Sequence, residues 1–166
     1  MGTIFSFVVS DVVSKIGILR HHMDSDVGTN YTTVRQMIDY EIASSLTRAR
    51  TKPPSGSRTL LRLHRALKFL RRLFADLAAM SPDEKTSGVV WKAYDETLAC
   101  YHTWFIRKAV GLAVYAVPSR QTLFLKMNCK SEEKVRQNID YLVVEIQQIY
   151  DGIQELYIAN DILDLP

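Results

Sequence analysis

The spacing of the large apolar residues is the feature that most constrains the fold of this chain. These residues recur every three or four positions along most of the 166 residues, while strict alternation of apolar and polar residues is almost absent. With 7 glycines and 5 prolines, the chain has few residues that would interrupt long helices. The pattern therefore predicts an all-α fold, organised as one compact domain over residues 1–166.

Individual helices are predicted from the apolar stripes and from the residues that end them. Two stripes mark the first two helices, namely Phe5, Val8, Val12, Ile16 and Leu19, and then Val34, Ile38, Ile42 and Leu46. Ser81, Pro82 and Glu84 form the signature of a helix start, and that helix is predicted to continue over residues 89–101. Other helices are predicted over residues 58–80, 102–117, 119–127 and 131–159. The 102–117 segment is apolar nearly all round, which predicts a central, buried helix.

Composition narrows the classes of function. The net charge of +3 is too small, and the basic residues too interspersed with acidic ones, to indicate a nucleic-acid partner. Cys100 and Cys129 do not make a disulfide framework, which is typical of a reducing compartment. The longest apolar stretch, residues 109–118, falls far short of the ~20 residues that span a bilayer. Because Asp11 also comes too early for a signal peptide, we expect a soluble cytosolic protein.

Two pairs of charged residues stand four positions apart on predicted helices. Asp11 and Lys15 share a helix face, where an exposed ion pair is the simplest interpretation. Arg58 and Arg62 form either a solvated basic face or an anion clamp, since guanidinium groups match the geometry of a phosphate. His102 precedes an apolar stretch, where a lone histidine is more often a core residue than one that binds a ligand.

Motifs for catalysis are absent from the sequence. It contains no nucleophile elbow, phosphate-binding glycine loop, dinucleotide fingerprint or HExxH zinc motif. We therefore expect no catalytic residues, no cofactor and no metal site, and a function other than catalysis. A helical domain of this size suits a carrier or an adaptor.

Four segments carry a resemblance to a known family: residues 2–16, with Asp11 and Lys15, residues 57–67, with RTLLRLHRAL, residues 94–104, ending in YHTW, and residues 163–166, LDLP. With these segments the chain resembles the glycolipid transfer protein family, most closely its ceramide-1-phosphate transfer branch. The resemblance implies a two-layer α-helical sandwich and non-vesicular transfer of ceramide-1-phosphate between membranes. Family members normally carry another helix before the point where this chain begins, so we expect the sandwich to lack its first helix.

The resemblance also implies residue roles. Lys15, Arg58 and Arg62 would hold the phosphate, Asp11 would accept hydrogen bonds from the sphingoid amide and hydroxyl, and His102 would donate to the acyl carbonyl. In the sugar-binding branch a stacking tryptophan looks to occupy the place of Arg62. Because an arginine fork pairs with an anion whereas a sugar face prefers an aromatic plate, Arg62 favours a phosphate headgroup.

A carrier of this kind needs an apolar sleeve and a way to reach the membrane. Candidates for the sleeve wall, each of which could instead be ordinary core, are Phe5, Val9, Val13, Leu61, Phe69, Ile106, Val110, Val114, Ile146 and Ile149. Trp104 would dock the protein on a membrane surface. We expect a cytosolic monomer that associates transiently with Golgi, endosomal and plasma membranes. Two alternatives stay open: a module that senses the lipid without transferring it, and a helical adaptor for a protein partner.

Overall fold

The computed structural model describes residues 3–81, 83–126 and 131–166, and the side chains of residues 3–7 lie outside that description. Within these residues the chain forms seven α-helices and three short 3-10 turns, without strands. The helices are α1 Thr3–Met23, α2 Val34–Ala43, α3 Gly56–Ala79, α4 Thr86–Thr97, α5 Trp104–Ala113, α6 Arg120–Lys126 and α7 Glu132–Ala159. The 3-10 turns are Gly28–Tyr31, Ala99–Tyr101 and Val114–Ala116. None of the described helices is both long enough and apolar enough to cross a bilayer.

The helix start predicted at Ser81 is wrong. Glu84 does reach back, since its Oε2 accepts a hydrogen bond from the Ser81 backbone N–H at 3.3 Å. However, the Glu84 N–H bonds to the Ser81 carbonyl at 3.2 Å and closes a turn, and α4 begins only at Thr86. Pro82, the third residue of that signature, lies outside the described residues. Half of a capping box therefore formed around a turn instead of a helix.

The contacts divide the chain into two compact units, to both of which α3 and α7 contribute. Unit 1 comprises Met1–His64 and Asp151–Pro166, and unit 2 comprises Arg65–Tyr150. The buried apolar cluster of unit 1 consists of Tyr31, Met37, Ile38, Leu61, Tyr157, Ile162 and Leu165. Unit 2 has two smaller clusters, one of Ala78, Phe124, Val135 and Ile139, the other of Leu77, Met80 and Val89. That residues 1–166 form a single domain stays a prediction.

The prediction of a central, buried helix over residues 102–117 is wrong. The segment breaks into α5 and a 3-10 turn, and α5 contains no buried residue. Three of its large side chains and that of the following tyrosine are between 70% and 80% exposed, namely Trp104, Phe105, Leu112 and Tyr115. The clusters of unit 2 are built from α3, α4, α6 and α7 instead. An all-round apolar pattern indicates affinity for a non-aqueous surface, but it does not say that the protein itself supplies that surface.

The first predicted stripe is also mostly uncovered. Val8 and Ile16 on α1 are exposed, Val12 is half-buried, and Leu19 packs against the cluster of unit 1. The side chain of Phe5 lies outside the described part of the chain. The helix was thus predicted correctly from its period, whereas the burial of its face was not.

Candidate functional site

The predicted pair on α1 is formed. Lys15 Nζ donates to Asp11 Oδ1 at 2.5 Å, with the lysine side chain largely covered and the carboxylate exposed. Among the described residues, nothing contacts the second carboxylate oxygen of Asp11 as a donor. The face of α1 therefore presents an oriented carboxylate that keeps acceptor capacity for amide or hydroxyl donors.

The start of α3 is fixed by a buried carboxylate from α2. Glu41 is fully buried and accepts hydrogen bonds from the backbone N–H groups of Gly56 and Ser57, at 2.6 and 2.9 Å. The hydroxyl of Tyr31 donates to the same carboxylate at 3.0 Å. Burial, and secondly the charge of Glu41, raise the pKa of the Tyr31 hydroxyl well above its usual value, so that it stays a donor. The otherwise unpaired amides of the first turn are thereby satisfied by an anion, which a helix N-terminus favours.

Gly56 allows α3 to begin this close to its neighbours. A Cβ atom at this position would lie 2.5 Å from Met37 Sδ and 3.1 Å from Tyr31 Cε1. Both neighbours are buried in the cluster of unit 1 and have little room to move. Ser55 directly precedes Gly56, and its Oγ accepts a hydrogen bond from the Arg58 N–H at 3.3 Å, as an N-cap residue does.

Arg58 and Arg62 lie one turn apart on α3, as their spacing predicted, but they are held differently. The half-buried Arg58 donates from Nε to the Pro166 carbonyl at 3.3 Å and from Nη1 to the Ala49 carbonyl at 3.1 Å. Arg62 is exposed, and no described residue pairs with its guanidinium. One guanidinium is thus aimed by the protein, whereas the other can turn toward an anion.

In unit 2, His102 lies in extended backbone between the Ala99–Tyr101 turn and α5. Its Nδ1 is 2.8 Å from the hydroxyl of Tyr94. Burial is the main cause that raises the pKa of Tyr94, so this hydroxyl is protonated at neutral pH. When that hydroxyl donates to Nδ1, the ring proton sits on Nε2, which is then a hydrogen-bond donor.

The exposed face of α5 combines aromatic and basic side chains. Lys108 Nζ lies 5.7 Å from the centroid of the Trp104 ring. Phe105, the residue after Trp104, is also exposed. Tyr101 lies just before α5, and the guanidinium of Arg65, from α3, lies 4.0 Å over its ring. Amphipathic rings beside cations are suited to the headgroup level of a lipid surface.

The predicted sleeve residues fall into three groups. Leu61, Val114 and Ile146 are buried and behave as ordinary core. In unit 1, Val9 and Val13 are exposed, and in unit 2 the same holds for Ile106 and Ile149. The half-buried residues are Phe69 and Val110, while the side chain of Phe5 lies outside the described residues. Apolar surface on four of the ten candidates is therefore left uncovered by the protein.

Sequence reasoning missed two of the residues that support these side chains. Glu41 and Tyr94 each act through a partner far along the chain or outside a regular helix spacing. A usable signal preceded α3, because Ser55 and Gly56 directly before an arginine-rich apolar stripe indicate a capped helix start. No comparable local pattern points to Glu41.

Known proteins share the sequence pattern of this chain. The family model described as glycolipid transfer protein matches residues 1–129. The chain belongs to the glycolipid transfer protein family. A relative in this family, the ceramide-1-phosphate transfer protein of Danio rerio, is 41% identical over 169 residues, which span 100% of this chain and 80% of the relative. The protein of the same name from Rattus norvegicus is 39% identical over 171 residues, 100% of this chain and 79% of its own length.

A solved family member has the same fold. The crystal structure of human ceramide-1-phosphate transfer protein in complex with 12:0 ceramide-1-phosphate superposes with a TM-score of 0.92 and 36% identity. The match covers 99% of this chain and 81% of that one. The predicted family resemblance and the predicted all-α fold of this family are thereby confirmed.

Proposed function

We propose that this protein binds ceramide-1-phosphate and carries it between membranes without a vesicle, acting as a cytosolic monomer. The observation that supports the proposal most is the likeness, in sequence and fold, to the human protein solved with 12:0 ceramide-1-phosphate. The activity makes and breaks no covalent bond, in keeping with a sequence that contains no catalytic motif.

Lys15, Arg58 and Arg62 bind the phosphate in this proposal. A phosphate offers three strong acceptor oxygens, and charge-assisted hydrogen bonds from arginine are about twice as strong as neutral ones. Arg58 supplies N–H groups already aimed by two carbonyls, and Arg62 supplies a guanidinium without a described partner. An arginine at position 62 suits an anion better than the face of a sugar.

The amide region of the lipid is bound by Asp11 and His102. The exposed carboxylate of Asp11 has an oxygen left to accept from the sphingoid amide and hydroxyl. His102 donates from Nε2 to the acyl carbonyl, and the hydrogen bond between Nδ1 and Tyr94 orients the ring.

The lipid chains are covered by apolar side chains that the protein leaves exposed. Leaving a 16-carbon chain in water costs on the order of 12 kcal/mol, at ~0.8 kcal/mol for each methylene. Val9 and Val13 on α1 and Ile106 and Ile149 in unit 2 supply apolar surface for such chains. When the lipid binds, the apolar side chains and the lipid chains are both removed from water.

Exchange with the bilayer takes place on the exposed face of α5. Trp104 and Phe105 enter the headgroup region, and Arg107 and Lys108 each add about 1 kcal/mol of attraction to an anionic leaflet. Because this attraction is modest, the protein docks only transiently on Golgi, endosomal or plasma membranes.

A vesicle-to-vesicle transfer assay tests the proposal. Purified protein is mixed with donor vesicles that contain labelled ceramide-1-phosphate or labelled galactosylceramide, and flux to acceptor vesicles is measured. We expect flux of the phosphorylated lipid and little of the glycosylated one. Flux of galactosylceramide alone would reject the phosphate assignment. Binding of ceramide-1-phosphate without flux would identify a sensing module instead of a carrier.

A further inference from the structure

The segment that follows α7 is packed into unit 1 beside Arg58. Ile162 and Leu165 are buried members of the apolar cluster of unit 1. The chain turns back at Asp161, whose φ of 52° is left-handed, and the Ile162 N–H bonds to the Tyr157 carbonyl at 3.1 Å. The core of the unit therefore anchors Ile162 and Leu165, whereas Asp164 and Pro166 are exposed.

An ion pair joins this segment to the loop that follows α2. Arg48 Nη2 donates to Asp164 Oδ1 at 2.6 Å, and this hydrogen bond lowers the pKa of the Asp164 carboxyl below its usual value. Arg48 precedes Ala49, and Asp164 stands two residues before Pro166. The two backbone carbonyls that accept from Arg58 therefore belong to the two segments that this ion pair ties together.

We propose that residues 162–166 form one side of the phosphate site and that Arg48 and Asp164 are positioning residues that aim the guanidinium of Arg58. The inference rests on the proposed function, because it is in binding a phosphate-headed sphingolipid that Arg58 would be used. Of the five N–H groups of its guanidinium, the carbonyls of Pro166 and Ala49 take two, and three are left for an anion.

This arrangement assigns different tasks to the two arginines. Arg58 is held before any ligand arrives, so that little side-chain entropy is lost when a phosphate binds. Arg62 has no described partner and is ordered only by the ligand. The Arg48–Asp164 pair itself is exposed, and exposed pairs add little to folding stability. Its effect should therefore be seen in binding and not in unfolding.

Charge reversal distinguishes positioning from simple electrostatics. Asp164→Arg adds positive charge near the phosphate site, so electrostatics alone predicts tighter binding of a short-chain ceramide-1-phosphate. Positioning predicts the opposite, a loss of about fivefold, since the altered pair no longer ties the two segments. Arg48→Asp should lose about as much, and the double variant Arg48→Asp/Asp164→Arg should recover to within about twofold of wild type.

The controls change the same charges elsewhere in unit 1. Arg35→Asp and Asp39→Arg alter exposed residues of α2 that carry no described interaction, and calorimetric affinity should change by less than about twofold. Binding of the matching unphosphorylated ceramide should be the same in all variants, and thermal midpoints should agree within a few degrees. Asp164→Arg that binds the phosphorylated lipid as tightly as wild type, or a double variant that does not recover, would overturn the inference.

A second readout does not depend on the lipid. In arginine-labelled protein, the Nε–H resonance of Arg58, assigned by its loss in Arg58→Lys, should exchange slowly with water. Each single charge reversal should make it exchange faster, and the double variant should restore it. If wild-type protein binds no phosphate-headed lipid, the proposed function fails and the binding role of the pair fails with it. A resonance unaffected by either reversal rejects the positioning itself, whatever the lipid result.

Discussion

The start of α3 in unit 1 and helix α5 in unit 2 reverse the usual relation between polarity and burial. At the start of α3, the carboxylate of Glu41 is fully buried, and the guanidinium of Arg58 is tied to two carbonyls. On α5, Trp104 and Phe105 are among the most exposed large side chains in the described part of the chain. In the polar region the amides of Gly56 and Ser57 and the guanidinium of Arg58 have partners within unit 1. In the apolar region Trp104 and Phe105 stay exposed to solvent.

The difference shows that a residue's place is decided by its partner more than by its own polarity. A carboxylate is stable inside a protein when it accepts enough hydrogen bonds, as Glu41 does at a helix N-terminus. An indole is stable at a surface when another apolar phase covers that surface for part of the time. Variants that remove the partner from one region, but leave the other alone, test this comparison.

The largest effect is expected from Glu41→Ala. The change leaves two backbone N–H groups and the Tyr31 hydroxyl buried without their acceptor, and should lower the free energy of unfolding by about 3 to 5 kcal/mol. Urea denaturation at neutral pH measures it. Asp39→Ala, an exposed carboxylate on the same helix, should change the value by less than about 0.5 kcal/mol. A loss below about 1 kcal/mol for Glu41→Ala would mean that water replaces the carboxylate and that the region is not rigid.

Arg62→Ala removes the exposed guanidinium of the first region that has no described partner. Losing one or more charge-assisted hydrogen bonds to the phosphate should weaken binding of ceramide-1-phosphate by about 10- to 100-fold. Stability should stay the same, because no described residue pairs with this guanidinium. Calorimetric titration gives the affinity, and Arg35→Ala serves as the matched control on α2. Equal affinities in the two variants would leave Arg62 as a solvated surface residue.

Trp104→Ala tests the exposed region. Losing the indole should reduce the partition of the protein onto anionic vesicles about tenfold, since burying a large apolar side chain is worth ~1.5 kcal/mol or more. The stability of the protein should not change. Tyr141→Ala removes another highly exposed aromatic ring of unit 2, on α7, and co-sedimentation with vesicles should be unaffected. An equal loss in both variants would indicate non-specific adhesion of apolar surface.

The smallest effect is expected from Tyr94→Phe, which removes the hydrogen bond between the Tyr94 hydroxyl and His102 in unit 2. Without the hydroxyl, His102 loses the hydrogen bond that orients its ring, and affinity for ceramide-1-phosphate should fall about three- to fivefold. Tyr141→Phe deletes an exposed hydroxyl and should have no effect on the same titration. If Tyr94→Phe also bound like wild type, the orientation of His102 would not depend on this contact.

The helices themselves were largely predictable from sequence. α3 and α7 begin and end within two residues of the predicted bounds, because a long stripe with a 3.6-residue period has few alternative structures. The charged pairs on α1 and α3 could be predicted for the same reason, since spacing of four fixes a shared face.

What a face packs against could not be predicted. On α2 the pattern indicated Ile42 as an inward residue, yet Ile42 is exposed and its neighbour Glu41 is fully buried. The amides that make this possible belong to Gly56 and Ser57, 15 and 16 residues further along the chain. Likewise, the partners of Arg58 at Ala49 and Pro166 are backbone carbonyls, which carry no sequence signal at all.

The exposure of Trp104 also gives the protein an optical reporter of its own. The sequence contains two tryptophans, and the ring of the less exposed one, Trp91, lies close to Gly111 in unit 2. In a Trp91→Phe protein the emission would come from position 104 alone. Because indole fluorescence shifts to shorter wavelength when water leaves the ring, arrival at a bilayer and departure from it can be followed in real time without a label.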